Sequence, residues 1–108
     1  MMRKTPLIVL CTVPDRDTAE DIANILIAEN LAACVNIIPG ITSVYRWEDR
    51  IEQAEELILV IKTGGDAYRA LQAKISDLHP YELPEVIAVP ISHGLSAYLA
   101  WIEQCTKD

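Results

Sequence analysis

The sequence predicts one α+β domain, residues 1–108, in which a four-stranded antiparallel sheet carries two helices on one face. First, 51% of the 108 residues are hydrophobic, enough for a core in a chain of single-domain length. Second, apolar runs and amphipathic segments follow one another in the order β-α-β-β-α-β, with a further helix at the C-terminus. Right-handed crossovers then place both inner helices on the same side of the sheet. This is the ferredoxin-like arrangement.

The first strand and helix have clear boundaries. Residues 7–13 form a continuous apolar run rich in β-branched side chains, typical of a strand covered on both faces. Pro14 ends the run, and Asp15 or Asp17 can cap the helix that follows. Asn30 is the expected end of that helix. Its core-facing stripe repeats at intervals of three and four residues: Ala19, Ile22, Ala23, Leu26 and Ile27.

Two long strands are predicted over residues 32–47 and 51–63, joined by a turn at 48–50. Pro39-Gly40 is either a turn that divides the first strand or a bulge within it. Fifteen extended residues span about 50 Å, whereas a chain of this length has a radius of gyration of about 13 Å. The central β-hairpin is therefore expected to project beyond its own domain.

The second half of the chain continues with a break at 64–66 and a helix over about 67–78. The loop 79–85 follows, and its two prolines, four residues apart, exclude helix and strand. Residues 86–91 predict the last strand. The C-terminal helix begins near Leu95, and its periodicity predicts that it buries Leu95, Tyr98, Leu99 and Ile102.

The strands carry more apolar surface than two short helices can cover. Exposed apolar strands favour aggregation, so the sequence predicts a closed homo-oligomer in which neighbouring copies cover the surplus. The residues assigned to this surplus are Val44, Trp47, Ile51, Leu57, Leu59 and Ile61.

Composition excludes several functional classes. The formal net charge of -7 argues against nucleic-acid binding, which needs clustered Lys and Arg. No stretch approaches the ~20 apolar residues of a membrane span, so no membrane partner is expected. The three cysteines are widely spaced and form no C-x-x-C motif, which indicates reduced thiols and a cytoplasmic location.

Cys11 and His79 are the candidate metal ligands. Thiolate and imidazole are preferred by Cu(I), Cu(II) and Zn(II). A loop after the second helix need not reach the end of the first strand within one chain, and a contact between subunits is the other way for the pair to meet. The competing interpretation of Cys11 is a small buried hydrophobic residue.

A second candidate site is a cleft between subunits. Trp47 at the hairpin tip is costly to expose unless something covers it. Tyr81 and Glu85 add hydrogen-bonding groups, and Lys62 precedes a glycine pair that could bind an anion. The predicted cleft is lined by Trp47, Lys62, Tyr81 and Glu85. No nucleophile-base-acid set is recognisable, so no enzymatic activity is expected.

The sequence resembles the CutA divalent-cation tolerance family along nearly its whole length. The segments that carry the resemblance are 9–14, 31–36 with 39–40, 43–48, 56 with 62–63, 79–81 with 84–85, 94, and 98–101. The resemblance implies a ferredoxin-like subunit in a tight homotrimer whose sheets are completed by neighbouring strands. It also implies a cytoplasmic protein linked to copper and other divalent-metal tolerance, with no required cofactor.

The resemblance also bears on the candidate ligands. In some bacterial members the proposed copper ligands are the cysteine that corresponds to Cys11 and two adjacent histidines before a proline. Here Leu78 precedes His79, so one imidazole remains and the implied copper site is weak. Asp49 stands where glycine is common, and the turn is expected to persist because Asp tolerates left-handed backbone. The alternatives are a PII-like signalling module that uses the intersubunit cleft, and a stable scaffold.

Overall fold

A computed structural model describes residues 5–106; the outer residues of the predicted domain, 1–4 and 107–108, lie outside this part. The strand order is β2-β3-β1-β4 and every pairing is antiparallel. This agrees with the predicted element order and sheet. The elements are β1 (Leu7–Val13), α1 (Arg16–Ala28), β2 (Cys34–Trp47), β3 (Arg50–Thr63), a 3-10 turn (Gly65–Ala67), α2 (Tyr68–Leu78), β4 (Ile87–Pro90) and α3 (Ser96–Cys105).

The core lies between the β1–β3 pair and the helices α1 and α2. Cys11 pairs with Leu59, and side chains two residues along each strand share their face. Helix residues such as Ile22 and Leu71 close this layer and are fully buried. Three residues predicted to be surplus strand surface belong to the core instead, because their register with β1 turns them toward the helices: Leu57, Leu59 and Ile61.

The β2–β3 ribbon is one continuous hairpin. The register shifts between Ile38 and Ile41, so Pro39-Gly40 forms a bulge within β2 and does not divide it. Glu48 and Asp49 have φ values of 51° and 64°, the left-handed pair that a two-residue type I′ turn requires. The turn therefore persists with Asp49. The principal extents of 46 × 26 × 23 Å agree with a projecting ribbon.

Apolar side chains remain on the face of the sheet opposite the core, here called the open sheet face. Side chains alternate along a strand, so neighbours of the core residues point to this side. Of these, Ile38, Ile87 and Val89 are exposed. Further along the ribbon, Val44 and Ile51 are exposed as predicted. The open sheet face comprises Ile8, Leu10, Ile38, Ile58, Val60, Ile87 and Val89.

Helix α3 is attached to the end of β3. The backbone N–H of Gly64 donates to the Thr106 hydroxyl at 3.2 Å, and Ile102 is fully buried. Leu95 and Tyr98, which the periodicity assigned to the buried side, are exposed. No helix within residues 5–106 is long and apolar enough to cross a membrane.

The start of α1 depends on Asp15, whose carboxylate accepts the Thr18 backbone N–H at 2.8 Å. This hydrogen bond lowers the pKa of Asp15 from its usual 3.8. The helix ends at Ala28, two residues before the predicted end, because Asn30 adopts a left-handed φ of 59°.

We predict that Asp15→Ala lowers the free energy of unfolding at pH 7, whereas Asp15→Asn largely preserves it because the amide oxygen still accepts the cap bond. Because the native pKa of Asp15 is lowered, its ionised carboxylate stabilises the fold fully above the unfolded pKa of 3.8. This stabilisation is lost as the pH falls further. The deficit of Asp15→Ala should therefore shrink below pH 3.8. Urea titrations at pH 7 and pH 3, at one protein concentration, measure it. Asp17→Ala is the matched control, and an equal loss in this variant would contradict the assignment.

Candidate functional site

The end of α2 places His79. Pro80 restricts the residue before it to extended backbone, and His79 has φ -75° and ψ 136°. Its backbone N–H still donates to Ile75 O at 2.8 Å, so the helix is closed at this point. The imidazole is thereby held where the helix ends and the loop 79–85 begins.

Both ring nitrogens of His79 contact backbone groups. Nδ1 accepts the backbone N–H of Tyr81 at 3.1 Å, and Nε2 lies 2.7 Å from Thr12 O. A backbone N–H can only donate, so Nδ1 is the acceptor. Nε2 therefore carries the proton and donates to the Thr12 carbonyl. The imidazole is neutral, only 7% exposed, and connects the loop to the end of β1.

Cys11 lies one residue before Thr12, so His79 approaches the end of β1 within a single chain, and no subunit contact is needed to bring the two segments together. The Cys11 side chain is fully buried. Burial, followed by the negative charges of Glu85 and Glu56, raises its pKa to about 12. The group is therefore a thiol at neutral pH and must lose a proton before it can bind a metal ion.

The metal assignment to Cys11 and His79 stays a prediction. Within residues 5–106, no three His, Cys, Asp or Glu side chains are grouped so as to hold a metal ion. A metal site built from one chain would thus have few protein ligands, and water or a second chain would have to complete it.

Tyr81 connects the loop to the ribbon. Its hydroxyl donates to Glu56 Oε2 at 2.6 Å, and its ring centroid lies 4.7 Å from that of His79. Partial burial, followed by the hydrogen bond to Glu56, raises the pKa of Tyr81 well above 10.0. Glu56 itself is only 6% exposed. It lies next to Leu57, which pairs with the last residue of β1.

Between the ribbon and the loop lies a cleft of about 910 Å³. Trp47, Tyr81 and Glu85 were predicted to line a cleft between subunits, and they lie together here within one chain. One wall is residues 43–47 of β2 and the other is residues 80–85. Thr12 and Glu56 also contribute to the lining.

Lys62 is the exception among the predicted cleft residues. It pairs with Cys34 across the ladder, and its ammonium donates to Asn36 Oδ1. Six residues of extended strand, about 20 Å, separate Lys62 from Glu56. Within one chain, therefore, Lys62 does not line this cleft.

Sequence reasoning gave no role to Glu56, Tyr45 or Arg46, all of which line the cleft. The available signal was the position of Glu56 where β3 changes from polar to wholly apolar residues. Glu56 comes directly before Leu57, which pairs with the last residue of β1. A carboxylate at this position can therefore contact residues that lie beyond the end of β1.

Comparison with known proteins identifies a family for the chain. A family model described as CutA1 divalent ion tolerance protein matches residues 7–105. The Divalent-cation tolerance protein CutA of Thermus thermophilus is 46% identical over 99 residues, which cover 92% of this chain and 96% of the relative. Its counterpart in Escherichia coli O45:K1 is 44% identical over 98 residues, which cover 91% and 88%.

Solved structures agree with the fold. The divalent cation tolerance protein (Cut A1) from Thermus thermophilus superposes with a TM-score of 0.93 at 44% identity, covering 94% of this chain and 99% of that one. CutA from Xylella fastidiosa gives 0.93 at 42% identity, covering 96% and 100%. A structure described as the periplasmic divalent cation tolerance protein CutA from Archaeoglobus fulgidus gives 0.91 at 35% identity, covering 94% and 99%. The chain belongs to the CutA1 divalent ion tolerance protein family.

Proposed function

We propose that this chain acts in divalent-cation tolerance as a cytoplasmic homotrimer that binds copper or a similar ion weakly and catalyses no reaction. The observation that carries the proposal is the position of the His79 imidazole beside the end of the strand that holds Cys11, in a chain that matches the tolerance family over residues 7–105. The three cysteines are free thiols, which suits a reducing compartment.

The contacts of His79 and Cys11 explain why the binding should be weak. A metal ion at Nδ1 must displace the Tyr81 backbone N–H. One at Nε2 must displace the bond to Thr12 O and, because the ring proton then moves to Nδ1, the bond from the Tyr81 N–H as well. Either displacement leaves a partly buried backbone group without its partner, which costs at most about 1–3 kcal/mol. Coordination by Cys11 also requires release of the thiol proton. The nearby charges of Glu56 and Glu85 act in the opposite direction and favour a cation at this place.

We predict that Cu(II) binds to the wild-type protein and that His79→Gln weakens binding about tenfold or more. Binding should also strengthen with rising pH, because coordination by Cys11 releases a proton, and Cys11→Ser should flatten this pH dependence. Calorimetric titration of oxygen-free, reduced protein at pH 7 and pH 9 measures both effects. His93→Gln, which alters the other histidine of the chain, is the matched control.

A second readout separates coordination by His79 from a structural effect of its replacement. Substoichiometric Cu(II) should selectively broaden the NMR resonances of the His79 ring while those of the exposed His93 ring stay sharp. Unchanged Cu(II) affinity in both His79→Gln and Cys11→Ser, or equal broadening of the two rings, would rule out these ligands.

The open sheet face and the ribbon support the homotrimer. Ile87 and Val89 lie on the edge strand β4 and are about half exposed, and Ile51 on the ribbon is 74% exposed. An edge strand with uncovered apolar side chains invites pairing with another copy. A closed ring of three would cover both the edge and the face.

We predict that the wild-type protein sediments at three times the 12.0 kDa mass of one chain, and that Val89→Glu shifts it toward monomer because a charge would be buried at the contact. Ile27→Glu is the matched control. Although its spacing assigned Ile27 to the core-facing stripe, it is a similarly exposed apolar residue on helix α1. Circular dichroism checks that both variants fold. A monomeric wild type, or an equal effect of both substitutions, would overturn the proposal.

The cleft supports a second candidate function, a small-molecule signalling module. Trp47, Tyr81 and Glu85 converge on a volume within the usual range of ligand sites, about 300–1,000 Å³. Thermal shift against a panel of metabolites, with chelator present, tests it. Stabilisation that does not need metal supports the module, and the absence of any stabilisation refutes it.

A further inference from the structure

The cleft between the ribbon and the loop 79–85 has chemistry that metal binding does not use. We propose that it binds an organic cation, an amine or alkylammonium group carried on an apolar body. This inference rests on the second candidate function above and names the class of ligand that the cleft would take.

The charges that line the cleft are mostly negative. The residues that line it include three glutamates, Glu56, Glu82 and Glu85, and one arginine, Arg46. Among residues 5–106, none of these four side chains is joined to another charged side chain in an ion pair. A cleft with an excess of one sign of charge concentrates ligands of the opposite sign, so its electrostatics favour a cation.

Glu56 supplies a specific contact for that cation. The residue is 6% exposed, and its Oε2 accepts the Tyr81 hydroxyl. Its other oxygen, Oε1, accepts no hydrogen bond from the described residues. Every fully buried side-chain oxygen in that part of the chain has a hydrogen-bond partner, so an oxygen without one is not fully buried. Oε1 is therefore not completely buried, and Glu56 is one of the residues that line the cleft. A largely buried carboxylate with one unpaired oxygen gains from a positively charged donor.

Aromatic rings supply the rest of the chemistry. Tyr45, Trp47 and Tyr81 all line the cleft, and the first two are exposed in the single chain. Aromatic faces attract organic cations, and Trp does so most strongly. Leu83 and Pro84 add apolar surface for an uncharged body. Rings next to carboxylates thus match both parts of an organic cation.

The same features argue against a bare metal ion in this cleft. Its carboxylates are not grouped closely enough to coordinate one, since no cluster of three potential ligands occurs among residues 5–106. A volume of about 910 Å³ also far exceeds that of an ion. Dispersed negative charge in a wide aromatic cleft suits a ligand whose charge is carried by a larger group.

Three probes with the same indole body test the proposal, in EDTA at pH 7. They are tryptamine, a cation; tryptophol, its neutral counterpart; and indole-3-acetate, an anion. The indole N–H resonance of Trp47 in a ¹⁵N-labelled full-length protein reports on the cleft, and calorimetry gives the affinity. Tryptamine should shift this resonance and bind about tenfold more tightly than tryptophol. The reason is that its ammonium group is a charged donor to the Glu56 carboxylate, whereas the tryptophol hydroxyl is a neutral donor. Indole-3-acetate should bind most weakly.

Two substitutions separate recognition by Glu56 from a structural role. Glu56→Gln keeps an oxygen that can accept the Tyr81 hydroxyl but removes the charge, and should lower tryptamine affinity about tenfold without affecting tryptophol. Glu55→Gln is the matched control, because Glu55 is exposed and accepts the Thr42 hydroxyl. Tyr81→Phe frees the second Glu56 oxygen, so binding of tryptamine should persist, whereas a purely structural role of the pair predicts its loss.

Three outcomes would overturn the inference. The first is equal binding of tryptophol and tryptamine, and the second is an equal effect of Glu55→Gln and Glu56→Gln on tryptamine affinity. The third is a Trp47 resonance that no probe shifts, which is expected if a neighbouring copy fills the cleft. If neutral or anionic metabolites stabilise the protein in EDTA while tryptamine does not bind, the cation class is refuted and the signalling module stands. If no compound stabilises it, both are refuted.

Discussion

The contacts of the His79 imidazole position the whole polar part of this molecule. One ring nitrogen donates to the carbonyl of Thr12 at the end of β1, and the other accepts the backbone N–H of Tyr81. The loop is thereby fixed in front of the ribbon, which lets the Tyr81 hydroxyl reach Glu56. Without this bridge, the loop would lose its hydrogen bond to the end of β1, and the bond from Tyr81 to Glu56 would have to hold it near β3 without that support. The cleft exists because a single neutral imidazole joins two backbone segments far apart in sequence.

That structural role limits how the same residue can bind a metal ion. An imidazole with one free nitrogen binds a metal at no structural cost, whereas His79 must give up at least one of its two hydrogen bonds. Cys11 is limited in a parallel way, since it packs in the core opposite Leu59 as an uncharged thiol. Both side chains have the chemistry of copper ligands and the surroundings of structural residues. These two facts are the reason why the proposed metal binding is expected to be weak and pH-dependent, and Leu78 offers no second imidazole to compensate.

The sequence predicted the fold well because each element has a local signal. Asp15 marks a helix start, and Pro80 marks a helix end. The pairing register is different, because it depends on contacts between strands. For this reason Leu59 was assigned to the uncovered surface although it is in the core, and Pro39-Gly40 could be either a bulge or a turn.

The candidate site was predicted only in part, for the same reason. The loop 79–85 stands out in the sequence, and Trp47, Tyr81 and Glu85 do converge. Placing Lys62 requires knowing that it pairs with Cys34, and assigning a role to Glu56 requires knowing that Tyr81 reaches it. Neither fact has a signature in the order of residues. Compositional reasoning finds side chains with suitable chemistry, and the tertiary register decides which of them meet.

The His79 bridge also connects the two proposed ligands of this protein. A metal ion on Nδ1 would release the Tyr81 backbone N–H, and Tyr81 carries the hydroxyl that occupies one oxygen of Glu56. A cation bound to Glu56 would in turn act on the same tyrosine from its other end. Coupling between two ligands is reciprocal in free energy. If a bound metal ion changes the affinity of the cleft for its cation by some factor, the bound cation changes the affinity for the metal ion by the same factor. The proposed metal site and the proposed cleft ligand would therefore share one structural element, the segment from His79 to Tyr81, and occupation of either would act on the other through it.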